Sequence, residues 1–185
     1  MFGLRSTFLP IVALAVFATN ISAYTIQFQN HCGYTIWAAV GKASNGQPDS
    51  SVKFGQRLSQ GETANFGVAD SQLGIRAWGR TGCDDSGSNC QTGACNGGLV
   101  CNDAGITSHA LLSEYGLGTD GRVYWDLSYV GGTINIPARL TGPDGQSVYC
   151  AAGNCPNMQA FQNTNDYGAI RNSAQGGTYT HTFCG

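Results

Sequence analysis

Four of the chain's eight cysteines lie in two neighbouring segments, Trp78-Gly-Arg-Thr-Gly-Cys83 and Cys90-Gln-Thr-Gly-Ala-Cys95-Asn-Gly-Gly-Leu-Val-Cys101. Six, four and five residues separate these cysteines in turn. None of the intervals is the Cys-X2-Cys pair typical of structural zinc sites, so the pattern favours disulfides over zinc. Glycine is frequent here, which indicates loops clipped by disulfides rather than a helix.

The other four cysteines are Cys32, Cys150, Cys155 and Cys184, which brings the total to an even number. Spacing alone leaves the pairing of eight cysteines open. Cys32 and Cys184 lie far apart beside strand-like segments, and a bond between them would stabilise the fold by about 5 kcal/mol in the chain-entropy model. The central four, and the pair Cys150 and Cys155, are close enough in sequence for local bonds.

Residues 1–23 have the pattern of a secretory signal peptide. Arg5 provides a positive charge, a nearly unbroken apolar run follows, and Ala23 is the small residue expected before a cleavage site. The apolar run is too short for a membrane span. Cleavage there would leave residues 24–185, whose length predicts a single secreted domain.

The rest of the sequence predicts short strands joined by glycine-rich turns. Period-2 alternation of apolar and polar residues is clearest in residues 122–130, where Val123, Trp125 and Leu127 share one face. Residues 41–51 are predicted as a loop, and residues 110–117 fit either a helix or a strand. Repeated strands of this kind indicate an all-β sandwich or barrel. The further predicted strands are 24–29, 34–40, 62–68, 74–80, 133–140 and 178–184.

The charge of the chain excludes two classes of partner. Charged residues make up only 11% of it, and removal of Arg5 leaves eight basic and eleven acidic side chains, a net charge of −3. No basic stripe or cluster suits nucleic acid or anionic lipid, so neither nucleic acid nor a membrane is expected as a partner. No cofactor or metal site is predicted, and the domain is expected to be a monomer.

The cysteine block and its flanks resemble the thaumatin-like family (pathogenesis-related group 5, osmotin type). The resemblance implies a flattened β-sandwich with disulfide-clipped loops and a reduced second, loop-rich domain. It also implies the pairs Cys32–Cys184, Cys83–Cys90 and Cys95–Cys101 and, with these assigned, Cys150–Cys155. One departure is Ala94, where the family signature has Asp. The flanking segments that carry the resemblance are 28–38, 57–62, 126–128, 135–137 and 182–184.

Family members have an acidic cleft formed by one Arg, one Glu and three Asp. The resemblance places the Arg at Arg76, the Glu at Glu114 and the first Asp at Asp126. The second Asp falls near Gly131 and is missing, and the third aligns with Asp166. Arg76 and Asp166 are therefore predicted to bind substrate, and Glu114 and Asp126 to be catalytic.

Glycoside hydrolysis requires two carboxyl groups: one donates a proton to the leaving oxygen, and the other activates water or attacks the sugar directly. The simplest hypothesis makes Glu114 the acid and Asp126 the base or nucleophile, whereas the alternative is that both are merely solvated. The family resemblance implies a secreted defence or antifungal protein that binds β-1,3-glucan in cell walls. The resemblance leaves open whether the protein also has weak endo-β-1,3-glucanase activity. The alternatives are an inhibitor of secreted hydrolases such as xylanase and a non-catalytic wall or effector protein.

Overall fold

Eleven strands form in the part of the chain that the computed structural model describes, residues 23–185. The all-β prediction is confirmed, and two 3-10 turns, Ser44–Gly46 and Tyr167–Ala169, are the helical elements of these residues. The strands are β1 (Ala23–Asn30), β2 (Ile36–Lys42), β3 (Asp49–Leu58), β4 (Thr63–Ala69), β5 (Ile75–Arg80), β6 (Leu112–Leu117), β7 (Val123–Ser128), β8 (Ala138–Thr141), β9 (Ser147–Cys150), β10 (Arg171–Ser173) and β11 (Thr178–Phe183).

The strands pair into two sheets that pack face to face. One sheet has the order β4-β1-β11-β8-β9 and the other β10-β7-β6-β5-β2-β3. β1 and β11 are parallel, and the other paired strands are antiparallel. The alternation predicted for β7 is confirmed, because Val123, Trp125 and Leu127 are fully buried in the core between the sheets. The opposite side chains of β7 therefore point away from that core.

The structure settles one ambiguous prediction and corrects two others. Residues 110–117 contain strand β6. The loop predicted over 41–51 is wrong at both ends, since β2 extends to Lys42 and β3 begins at Asp49, and these two residues form an ion pair with an Nζ–Oδ2 distance of 2.7 Å. The strand predicted over 133–140 is wrong for residues 133–137, because the Asn135 side chain bonds to backbone groups of other segments and Pro137 has no N–H to donate.

The clipped loops cover the outer face of the six-stranded sheet. Trp78 of β5 is fully buried there and donates from Nε1 to the carbonyl of Gly93 at 3.0 Å. Arg80 is also fully buried, and its guanidinium donates to the carbonyls of Gly87, Gly98 and Leu99 at 3.0, 2.7 and 2.7 Å. Burial lowers the pKa of Arg80 to about 10, which leaves it charged at neutral pH. This one side chain therefore holds the cysteine-rich loops onto the sheet.

Four disulfides secure these loops and the ends of the domain. They join Cys32 to Cys184, Cys83 to Cys90, Cys95 to Cys101 and Cys150 to Cys155, the pairs that the family resemblance implies. The predicted signal peptide lies outside the described residues apart from Ala23, which is the first residue of β1. Within residues 23–185, no helix has the length and hydropathy needed to cross a bilayer.

Candidate functional site

A cleft of about 500 Å³ opens on the outer face of the six-stranded sheet. Its floor is formed by β5, β6 and β7, and its walls come from two loops that carry His109 and Phe161. Arg76, Glu114 and Asp126 all line it. The structure therefore brings together three of the site residues that the sequence predicts.

The strand register sets these three side chains in one row. Arg76 of β5 is the direct cross-strand partner of Glu114 of β6, and Glu114 is in turn the partner of Asp126 of β7. Directly opposed residues on antiparallel strands point to the same face, with Cβ atoms about 4.5–5.5 Å apart. Three residues separated by up to fifty positions in sequence thus become neighbours.

Arg76 and Glu114 form an ion pair in the middle of the row. The Arg76 Nε donates to Glu114 Oε1 at 3.1 Å, and the two side chains are 23% and 32% exposed. A partly exposed pair of this kind adds little to stability. Its effect is to orient the Glu114 carboxylate and to balance its charge beside the cleft.

Asp126 has a different environment from Glu114. The residue is partly exposed, but its Oδ1 atom is buried and has no hydrogen-bond partner within the described part of the chain. Burial, and to a lesser extent the charge of Glu114, raises the pKa of Asp126 well above its ordinary value. A carboxyl group with a raised pKa is the better proton donor, so the environment of Asp126 suits the acid role that the sequence hypothesis gives to Glu114.

The position at which the family's second Asp falls also lines the cleft. It is occupied by Gly131, which has a φ of +72°, and no atom lies within 4 Å of the point where a Cβ atom would stand on this residue. The carbonyl of Gly131 lies 3.0 Å from His109 Nδ1. An acidic side chain would therefore have room here, although this chain has none.

Asp166 is not among the residues that line the cleft. Its Oδ2 accepts hydrogen bonds from the backbone N–H groups of Gln162 and Asn163, both at 2.8 Å. Asp166 thus orders the loop behind Phe161, whereas the family resemblance predicts a role in binding substrate.

Phe161 is a cleft residue that no sequence pattern identifies. Its N–H donates to the carbonyl of Leu127 at 2.8 Å, and its carbonyl accepts from the N–H of Tyr129 at 3.0 Å. These bonds attach the loop to β7 one residue beyond Asp126. No hydrophobic period marks residues 156–166, so only the folded chain reveals the contact.

Comparison with known proteins identifies the family of the chain. Residues 30–185 match the thaumatin family, and the chain belongs to that family. Thaumatin-like protein PWIR2 of Triticum aestivum is 37% identical over 174 residues, which cover 92% of this chain and 94% of the relative. Pathogenesis-related protein 1A/1B of Hordeum vulgare has the same identity and coverage. The chain is therefore a thaumatin-like, pathogenesis-related type of protein.

A solved structure supports the fold. The thaumatin-like xylanase inhibitor TLXI superposes with a TM-score of 0.61 at 23% identity, over 86% of this chain and 99% of the inhibitor. All eight cysteines of the chain are paired within the described residues. Four disulfides in a domain of this size fit an extracellular protein.

Proposed function

We propose that the chain is a secreted defence-type protein that binds β-1,3-glucan of cell walls in this cleft. The observation that carries the proposal is the row formed by Arg76, Glu114 and Asp126 across three adjacent strands. A sugar hydroxyl both donates and accepts hydrogen bonds. The row offers it a guanidinium donor, a carboxylate acceptor and a carboxyl group that retains its proton.

The charge balance of the row favours a neutral polysaccharide. Arg76 is already paired with Glu114, and burial favours the uncharged form of Asp126. An acidic polysaccharide would have to compete with Glu114 for the one cation of the row. A neutral glucan avoids that competition, since it needs only hydrogen bonds and contact with the apolar walls of the cleft.

The same geometry supports slow hydrolysis as a second part of the proposal. Asp126 would give its proton to the glycosidic oxygen as the bond to C1 breaks, and Glu114 would attack C1. Water, losing its proton to Asp126, would then release the sugar from Glu114. Directly paired strand residues have Cβ atoms about 4.5–5.5 Å apart, which allows their carboxyl groups the separation of about 5 Å that is typical of such retaining enzymes.

The proposal is tested by co-sedimentation with insoluble β-1,3-glucan, alongside xylan and cellulose. Glu114→Gln and Asp126→Ala should each weaken glucan binding about tenfold, the cost of about one hydrogen bond to a charged or buried group. The matched controls are Glu62→Gln, at the chain's other glutamate, and Asp85→Ala, because both residues are exposed and lie outside the cleft.

Binding that is absent in the wild type, or equal in cleft and control variants, would overturn the proposal. Release of reducing sugar, measured separately, decides whether binding is followed by cleavage. Addition of the protein to a xylanase assay tests the inhibitor alternative, and inhibition without glucan binding would replace the present proposal by that one.

A further inference from the structure

The loop of residues 156–170 carries apolar side chains that the folded core does not use. Tyr167 is 68% exposed and Met158 59% exposed, whereas Phe161 is partly buried as a wall of the cleft. A large aromatic residue that is this exposed contributes little to the stability of the domain. Its position beside a cleft therefore needs another explanation.

Tyr167 extends the wall that Phe161 begins. The two rings have centroids 6.3 Å apart and meet edge to face at 89°. Met158 lies close to the residue after Tyr167, since its Sδ would be 2.7 Å from a Cβ atom placed on Gly168. Phe161 and Tyr167 form an aromatic surface, here called the aromatic shelf, that begins at the wall of the cleft.

Hydrogen bonds hold the shelf in place. Arg171 donates from Nη1 to the carbonyl of Gly168 and from Nη2 to that of Met158, both at 3.0 Å. Asp166, directly before Tyr167, accepts two backbone N–H groups of the same loop. Tyr167 is therefore exposed on a braced loop, which keeps low the entropy cost of placing a ligand against it.

The shelf continues the line of the acidic row. β5, β6, β7 and the backbone at Phe161 lie side by side, because Phe161 bonds to Leu127 of β7 and to Tyr129 just beyond its end. Three inter-strand spacings make this line roughly 14 Å long, which exceeds the width of a single pyranose ring. A glucan chain bound over Glu114 and Asp126 is thus directed towards Phe161 and Tyr167.

We infer that the aromatic shelf is a second sugar-binding subsite, on which one pyranose unit of a β-1,3-glucan stacks while its neighbours occupy the acidic cleft. The inference rests on the proposed function. A pyranose ring has an apolar face of C–H groups that packs against an aromatic ring, and aromatic side chains commonly line ligand sites for this reason. The shelf has few side chains, which suits one sugar unit better than the roughly 800 Å² that a stable protein partner covers.

The test compares the affinities of a β-1,3-linked disaccharide and hexasaccharide by titration calorimetry. Tyr167→Ala should weaken hexasaccharide binding about tenfold, as expected for loss of an aromatic contact at an interface, and leave the disaccharide nearly unchanged. Tyr167→Phe retains the ring and should bind like the wild type. Tyr34→Ala, at a tyrosine that is 48% exposed and lies outside this cleft, is the matched control.

The inference is overturned if Tyr167→Ala binds the hexasaccharide as tightly as the wild type. It is also overturned if the disaccharide and hexasaccharide lose affinity equally, or if Tyr34→Ala has the same effect. A wild type that binds neither sugar overturns the proposed function together with this inference. If glucan binding depends on Glu114 but not on Tyr167, this inference fails while the proposed function stands.

Discussion

Glu114 and Asp126 are directly opposed on β6 and β7, yet Arg76 contacts only Glu114. The two carboxyl groups share one cleft but differ in their surroundings, since Asp126 Oδ1 is buried without a hydrogen-bond partner in the described chain. This asymmetry makes them chemically distinct, and pairs of carboxyl groups whose environments separate their pKa values are typical of acid–base sites.

The first prediction concerns stability as a function of pH. The raised pKa of Asp126 means that the folded state keeps a proton that the unfolded state has lost. Below about pH 4 both states are protonated. As the pH rises from there to the raised pKa, the contribution of Asp126 to the free energy of unfolding should fall by up to about 1.4 kcal/mol per pH unit.

Asp126→Asn has no carboxyl group at this position, so its free energy of unfolding should lack the decrease with pH that Asp126 causes. The stability of the variant relative to the wild type, measured by urea unfolding, should therefore increase with pH. Asp85→Asn, at an exposed residue, is the control and should follow the wild type. Parallel pH profiles for the wild type and Asp126→Asn would contradict the prediction.

The second prediction compares two disulfides. Cys32–Cys184 joins residues 152 positions apart, and Cys150–Cys155 joins residues only five apart. The chain-entropy model gives losses of about 5 and about 2 kcal/mol when each is replaced by a pair of alanines. Urea unfolding of the two double variants measures the difference, and equal losses would show that loop length does not determine it.

A third prediction concerns Arg80. Arg80→Met keeps the apolar stem but leaves the carbonyls of Gly87, Gly98 and Leu99 without their donor. The loss should be about 3 kcal/mol or more, since several buried groups become unpaired. Amide hydrogen exchange should also accelerate over residues 83–101.

The control is Arg139→Met, at an exposed arginine that packs over the Tyr149 ring. This variant should lose less than about 1 kcal/mol of stability. A similar loss in both variants would count against the role of Arg80.

The fourth prediction adds the acid that this chain lacks. Gly131→Asp places a carboxylate in the cleft where the structure has open space. Gly131→Ala has the same backbone cost, about 1 kcal/mol for a positive φ, but no carboxylate. Only Gly131→Asp should strengthen glucan binding in the sedimentation assay. The expectation fails if the two variants bind equally.

Strands with clear alternation are the easiest to predict from the sequence, whereas β3 and β10 lack that pattern. β1, β7 and β11 have one buried face each, so their apolar residues recur at every second position. β3 is an edge strand that exposes side chains on both faces, so it lacks that pattern and its first residues read as loop. β10 has three residues and exists because β7 offers it a partner.

The site, too, can be predicted from the sequence only in part. The family resemblance identifies Arg76, Glu114 and Asp126, and the strand register explains why they meet. The burial of Asp126 depends on the loops that wall the cleft, which no local pattern in the sequence records. The same holds for Phe161, whose place in the cleft comes from backbone hydrogen bonds to Leu127 and Tyr129 at the end of β7.

The parallel pairing of β1 with β11 also affects how the domain can be made. β11 lies between β1 and β8 in the five-stranded sheet, so the sheet stays divided until residues 178–183 have been synthesised. Contacts between such distant residues form slowly. Until Cys184 has been synthesised, Cys32 has no native partner, whereas the other cysteines can already form disulfides. Any premature bond at Cys32 must then be broken by disulfide exchange before Cys32 can pair with Cys184.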